Sequence, residues 1–186
     1  AGLYNTLFRA DEPALVIECL NGYRLKEKLP TNVGEFTIPL GKVEVIRAGA
    51  DITVVSYGST LRLVEEAAEE LELLGIDIEI IDAQTLLPFD IAQDFKKSLQ
   101  KTNKLLVIDE DVPGGASAFI MQEILEQQQG YYLLDSQPKT LTAKAHRSPY
   151  GSDGDYFSKP SVDDIVETIY EMMREAKPGV YKKMYS

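Results

Sequence analysis

The chain has 186 residues, of which 44% are hydrophobic and 26% are charged, and its net charge is −11. This length suits one ordinary domain with an appended segment at one end, and this balance excludes a disordered or fibrous chain. No apolar stretch approaches the ~20 residues that span a bilayer, and the N-terminus lacks the layout of a signal peptide, so we expect a cytoplasmic protein without membrane contact.

The negative charge is concentrated in the later part of the chain. Residues 1–50 hold six basic and six acidic side chains, so the whole excess lies after residue 50. An acidic surface repels phosphate backbones, which argues against nucleic acid as a partner and favours a basic protein partner. A face kept acidic for solubility is the alternative.

The first fifty residues do not follow the pattern of the rest. Residues 3–9 are typical of the end of a helix, residues 14–19 of a buried strand, and residues 21–37 of an extended polar connection. We interpret Cys19, inside the apolar run, as a core thiol rather than a nucleophile. After a turn at residues 39–41, alternating apolar residues predict an edge strand or hairpin arm at Val43, Val45 and Ile46.

From residue 51 onward, strands alternate with amphipathic helices, which predicts a mostly parallel sheet covered by helices. Residues 52–57 form a β-branched strand that stops at Gly58. Ser59 or Thr60 is expected to cap the helix that follows, and Gly75 is expected to end it in a left-handed conformation.

The next strands differ in polarity. Isoleucines at 76, 78 and 80 alternate with acidic residues, which predicts a strand near a sheet edge with one face less buried. Asp90 is expected to cap a short helix through Phe95 and Leu99. Residues 104–109 are apolar enough for a central strand.

The C-terminal third combines a loop with a well-marked helix. A helix is expected from about Ser117 to Gln129, and a fourth strand from Lys139 to Ala143. Residues 146–160 are rich in turn formers and predict an ordered loop. Ser161 and Asp164 form a capping box for the last helix, which ends before residues 178–179.

Two strand-to-helix turns are candidate anion sites. Helix N-termini at the carboxyl ends of parallel strands present unpaired N–H groups, and here they follow Gly58, Ser59 and Thr60 and, in the second turn, Gly114 and Gly115. Neither turn matches a Walker or dinucleotide pattern. Small residues that merely let the chain bend are the alternative.

Other residues offer weaker catalytic hypotheses. Asp109, Glu110 and Asp111 end a central strand, where they are candidates for an acid/base pair or a divalent cation site; the alternative is a solvated loop and a helix cap. His146 is interpreted as a loop residue bonded to backbone. Ser117 lacks the surroundings of a hydrolase nucleophile.

Three segments together resemble the β subunit of the decarboxylating component of 2-oxo acid dehydrogenases. They are FTIPLGK at residues 36–42, DITVVSYG at 51–58 and IIDAQTLLPFD at 80–90. The family pattern has YTIPLGKA, DVTLVAYG and DLRTLLPLD in the same order and spacing, and here Ala83 and Gln84 replace its leucine and arginine. LVIDE at 106–110 continues the match.

The resemblance implies a transketolase C-terminal-like domain over residues 51–177. Its expected fold is a three-layer α/β/α sandwich with a five-stranded, mostly parallel mixed sheet. Residues 1–50 would then be the tail of a preceding pyrimidine-binding domain plus a linker, and residues 178–186 a basic tail.

The resemblance also implies a function for the whole enzyme: oxidative decarboxylation of a 2-oxo acid and reductive acylation of lipoyl groups. Thiamine diphosphate and Mg would bind to domains outside this chain, so we expect no catalytic, cofactor-binding or metal residue here and an inactive isolated chain. The sequence GSDGD at residues 151–155 superficially resembles the GDG that opens the thiamine diphosphate motif, but no asparagine follows Asn103 to complete it.

The expected role of this domain is assembly. Its implied partners are the remaining domains or subunits, the acyltransferase core and a second copy in a homodimer. Two alternatives stay open: a stand-alone regulatory module that binds a small anionic metabolite at helix N-termini, and the C-terminal domain of a transketolase or deoxyxylulose phosphate synthase. Which 2-oxo acid is the substrate also stays open.

Overall fold

A five-stranded sheet forms the centre of the structure, a computed structural model that describes residues 1–26, 28–151 and 153–183. Its strands are β1 (Glu44–Arg47), β2 (Ile52–Ser56), β3 (Ile78–Asp82), β4 (Leu105–Ile108) and β5 (Lys139–Leu141). Their order is β1-β3-β2-β4-β5. Strand β1 runs antiparallel to β3 and the other pairs are parallel, which confirms the predicted mixed sheet.

Helices cover both faces of this sheet. The α-helices are α1 (Gly2–Leu7), α2 (Thr60–Leu73), α3 (Asp94–Thr102), α4 (Ala116–Gln122), α5 (Gly154–Ser158) and α6 (Val162–Ala176). Helices α2 and α6 pack together against one face, and α3 and α4 lie against the other. A π-helical turn at Glu123–Gln127 extends α4, and 3-10 turns lie at Leu20–Arg24 and Gly130–Leu133. The predicted three-layer arrangement is therefore present.

Each face of the sheet has its own hydrophobic core. On β2, Ile52 and Val54 point to the α2/α6 side, whereas Val55 points to the α3/α4 side, and all three are fully buried. Burying an aliphatic side chain of this size contributes about 1.5–3 kcal/mol relative to leaving it exposed. Because β2 and β4 each contribute to the cores on both faces, their sequences are almost continuously apolar.

The helix-boundary predictions are largely confirmed. Gly75 has a φ of 76°, as expected for a left-handed helix stop. The Asp90 carboxylate accepts hydrogen bonds from the N–H groups of Asp94 at 3.0 Å and Phe95 at 3.1 Å, so it caps α3. At α6, the Ser161 hydroxyl accepts from Asp164 N–H at 3.2 Å, and Ser161 N–H donates to the Asp164 carboxylate at 2.9 Å.

Three local predictions are wrong. Strand β3 lies near a sheet edge as expected, next to β1, but it has no less-buried face: the Glu79 carboxylate can be buried because it is bonded by the Lys101 ammonium and by Gly49 N–H. Ser59 is already helical and makes no side-chain cap for α2. The loop predicted at residues 146–160 contains the short helix α5.

The predicted strand at residues 14–19 is also absent. These residues belong to no strand and leave Leu15 and Ile17 88% and 85% exposed. A strand needs a neighbour to satisfy its backbone groups, and within the described residues none lies beside this segment.

The predicted basic tail lies partly outside the described residues, which stop at 183. Tyr181 is buried against α6, with its ring 5.7 Å from that of Tyr170, and its hydroxyl donates to the carbonyl of Gly75 at 3.3 Å. This part of the tail therefore packs onto the domain. None of the helices among the described residues is long and apolar enough to cross a membrane.

Replacing the α6 cap should measurably weaken the fold. The change Ser161→Ala removes the hydroxyl that accepts from Asp164 N–H, and we expect the free energy of unfolding to fall by about 1 kcal/mol. Urea denaturation followed by circular dichroism measures this change. The control Glu167→Ala, on the exposed side of α6, should stay within about 0.5 kcal/mol of the parent. Equal losses in the two variants would contradict the capping assignment.

Candidate functional site

The carboxyl ends of β2 and β4 form the topological switch point of the sheet. The two strands are parallel neighbours, but the chain leaves β2 toward β3 on one side and leaves β4 toward β5 on the other. Crevices at such points are where α/β sheets commonly bind ligands. The predicted turns at Gly58, Ser59 and Thr60 and at Gly114 and Gly115 both start here.

Asp109 is the central polar group of this switch point. It follows β4 directly, is fully buried, and accepts a hydrogen bond from the Tyr57 hydroxyl at 2.5 Å. It also accepts from the N–H groups of Asp111 at 3.0 Å and Ser117 at 2.9 Å. The residue before α4 is Gly115, which has no side chain, so Asp109 supplies the cap. The helix-cap interpretation is confirmed, although Asp109 is buried rather than solvated.

Tyr57 is held in its neutral form by this environment. Partial burial, the hydrogen bond to Asp109 and the nearby negative charge of that carboxylate together raise the pKa of Tyr57 far above its ordinary value. Its hydroxyl therefore remains a donor throughout the physiological pH range. The arrangement stabilises the ends of β2 and β4.

Glu110 connects the two turns on the surface side. Its carboxylate accepts a hydrogen bond from the Ser59 hydroxyl at 3.0 Å and forms an ion pair with the Lys159 ammonium at 3.5 Å. The first contact joins the end of β2 to the end of β4. The second joins both to the segment just before α6, so Glu110 links three parts of the chain.

Cys19 lies over the first turn instead of inside a core. Its thiol is half-buried and accepts a hydrogen bond from Ser59 N–H at 3.1 Å. A Cβ atom at Gly58 would lie 2.8 Å from the sulfur, so the close approach requires glycine there. The interpretation of Cys19 as a core thiol is wrong, because the segment around it packs on the loop and not between layers.

Three donors at the candidate anion site are thus bonded within the chain. Ser59 N–H donates to Cys19, the Ser59 hydroxyl to Glu110, and Ser117 N–H to Asp109. Two of these acceptors are carboxylates, which would repel a bound anion. Anion binding at these turns stays a prediction, and this geometry does not favour it.

The same geometry does not fit thiamine diphosphate or its metal ion. A diphosphate would face the carboxylates of Asp109, Glu110 and Asp111, and among the described residues the cation paired with this group is Lys159. Among residues 1–26, 28–151 and 153–183, no group of three His, Cys, Asp or Glu side chains is arranged to hold a metal ion. We therefore assign no step of chemistry to this switch point.

The remaining sequence candidates lie apart from one another. His146 is exposed, and its Nδ1 lies 2.8 Å from the carbonyl oxygen of Arg147, which agrees with a loop residue bonded to backbone. Ser117 is buried at the start of α4, where its N–H serves Asp109. Sequence reasoning missed the roles of Tyr57 and Lys159. The position of Tyr57, directly before the strand-ending Gly58, was the one available signal.

Comparison with known proteins places this arrangement in a family. Residues 41–159 match the family model "Transketolase, C-terminal domain". This chain belongs to the transketolase C-terminal domain family. It is 31% identical to the pyruvate dehydrogenase E1 component subunit beta of Mesostigma viride, over 92% of this chain and 51% of that one. It is 32% identical to the acetoin:2,6-dichlorophenolindophenol oxidoreductase subunit beta of Bacillus subtilis, over 94% of this chain and 50% of that one.

A solved structure agrees with this assignment at the level of the fold. The split gene transketolase described as an inactive beta4 tetramer has a TM-score of 0.59 and 20% identity, over 80% of this chain and 45% of that one. The fold predicted from the sequence, that of a transketolase C-terminal domain, is therefore confirmed. The chain spans about half the length of the curated relatives it matches.

Removing the charge of Asp109 should destabilise this transketolase C-terminal domain. In Asp109→Asn the amide nitrogen faces donors and the charge-assisted hydrogen bonds are lost, so we expect the free energy of unfolding to fall by about 1.5–3 kcal/mol. Urea denaturation measures the loss. The neighbouring variant Glu110→Gln, at a part-exposed ion pair, should lose less than about 1 kcal/mol. A larger loss in Glu110→Gln would reverse the assigned roles.

Tyr57 should make stability depend on alkaline pH. Because the folded pKa lies above the unfolded one, Tyr57 stays protonated while an unfolded tyrosine ionises above about pH 10, so its contribution to stability is present at neutral pH and is lost as the pH rises beyond that value. Relative to Tyr57→Phe, the parent should be more stable at about pH 8, and this advantage should shrink at about pH 10.5.

Urea denaturation of both proteins at the two pH values tests this expectation. The control Tyr132→Phe alters a tyrosine that is 82% exposed and should leave the difference unchanged. An advantage that is constant with pH would show that the Tyr57 hydroxyl is not coupled to Asp109.

Proposed function

We propose that this chain is the C-terminal assembly domain of the β subunit of a thiamine-diphosphate-dependent 2-oxo acid dehydrogenase. The whole enzyme would decarboxylate a 2-oxo acid oxidatively and transfer the acyl group to lipoyl groups. This domain would supply contact surfaces, while thiamine diphosphate and Mg bind elsewhere in the enzyme. The relatives named as pyruvate dehydrogenase and acetoin oxidoreductase β subunits support this class.

The observation that carries the proposal is a row of exposed apolar side chains, which we call the N-terminal apolar row. It consists of Leu15, Ile17, Leu20 and Tyr23, which are 88%, 85%, 76% and 69% exposed. Single exposed apolar residues are ordinary on protein surfaces, but several within one short segment are typical of a contact surface. A run of apolar residues that belongs to no strand also suits a segment that pairs with a neighbouring sheet.

The segment that bears this row is fixed by polar contacts at its edges. The Tyr4 hydroxyl donates to Glu18 at 2.8 Å, and Ser59 N–H donates to the Cys19 thiol at 3.1 Å. Helix α1 is held in turn by the Thr6 hydroxyl, which donates to the carbonyl of Ile38 at 2.6 Å. Anchoring lowers the ordering cost when a partner covers the apolar side chains.

We propose that the N-terminal apolar row is covered by the half of the β subunit that this chain does not span. The curated relatives are about twice as long as the matched region, so a comparable length of polypeptide is available to cover it. Residues 1–50 would then be the tail of the preceding pyrimidine-binding domain and its linker. This occupant accounts both for the apolar pattern of residues 14–19 and for their lack of a strand neighbour.

Further partners follow from charge and exposure. Helix α2 exposes five glutamates at positions 65, 66, 69, 70 and 72, which suit a basic segment of the acyltransferase core. Leu87 and Ile91, 84% and 70% exposed, are candidate contacts for a homodimer. The β-subunit relatives support partner subunits in general, and these two surfaces are our proposals.

Two other functions are less well supported. A regulatory module for small anions would need free donors at the switch point, where Asp109, Glu110 and Cys19 accept the hydrogen bonds of Ser117 and Ser59. A transketolase or deoxyxylulose phosphate synthase shares the fold, and the FTIPLGK and TLLP segments together with the names of the relatives favour the dehydrogenase. Because substrate selection rests on the other domains, the identity of the 2-oxo acid is not part of the proposal.

An aspartate in the N-terminal apolar row should weaken assembly. When a polypeptide with the remaining half of the β subunit is supplied separately, we expect Leu15→Asp to raise the dissociation constant at least about tenfold, because a charge would be buried in an apolar contact. Isothermal titration calorimetry measures the constant. Leu73→Asp is a matched control, since Leu73 is also 88% exposed but lies on α2.

The assembly test has two contradicting outcomes. If Leu15→Asp and Leu73→Asp raise the dissociation constant equally, the contact does not lie on this segment. Failure of the parent chain to associate with the other half at all would remove the proposed assembly role itself.

The isolated chain should bind neither cofactor nor anion. Titration with inorganic phosphate, with pyruvate and with thiamine diphosphate plus Mg²⁺ should give no saturable heat below about 1 mM, because carboxylates occupy the switch point. Saturable phosphate binding that is lost in Ser59→Ala would support the regulatory module instead. Turnover of a 2-oxo acid by this chain alone would contradict the proposed division of labour.

A further inference from the structure

We draw no further inference here: the strongest candidate, the open groove of about 490 Å³ between β1 and α3, is lined by three lysines and three carboxylates whose charges cancel, and its buried Glu79 Oε1 is sealed from solvent, so nothing in the described residues shows what would fill it.

Discussion

Helices cover the parallel strands on both faces, and this constraint decides where polar groups can lie in the molecule. Strand β2 is fully buried, so the functional groups of the sheet are confined to the strand ends. At the carboxyl ends, Asp109 accepts three hydrogen bonds and so satisfies the end of β4, the start of α4 and the Tyr57 hydroxyl together. A buried carboxylate is tolerated when it is bonded in this way. The same bonding removes the donors that a ligand would need.

Features that depend on nearby residues were predictable from the sequence. The capping box at Ser161 and the helix stop at Gly75 rest on short-range chemistry, and the apolar character of β2 and β4 reflects burial on both faces. The acidic alternation in β3 was misleading. Glu79 is buried because its partners are Lys101 and Gly49, which lie 22 and 30 residues away, and no local pattern records such a pairing.

The site was predictable in position but not in chemistry. Strand-to-helix turns identified Gly58 and Gly114 as the switch point, because parallel strands end at the same edge of a sheet. Which groups meet there depends on contacts across the fold. The Tyr57–Asp109 bond joins residues 52 apart, and the Ser59–Cys19 bond joins residues 40 apart. The chemistry of the turns therefore became visible only in three dimensions.

The N-terminal apolar row differs from the rest of the molecule in what stabilises it. The two cores contain residues from the sheet and its helices, beginning at Val43, and none from residues 1–40. The domain can therefore bury its own apolar residues without using Leu15 or Ile17. This segment is anchored through Glu18 and Cys19, but its apolar side chains face water, so the hydrophobic free energy of burying them is still unused. Such free energy is available for association, which is the physical reason for proposing an assembly surface at this end of the chain.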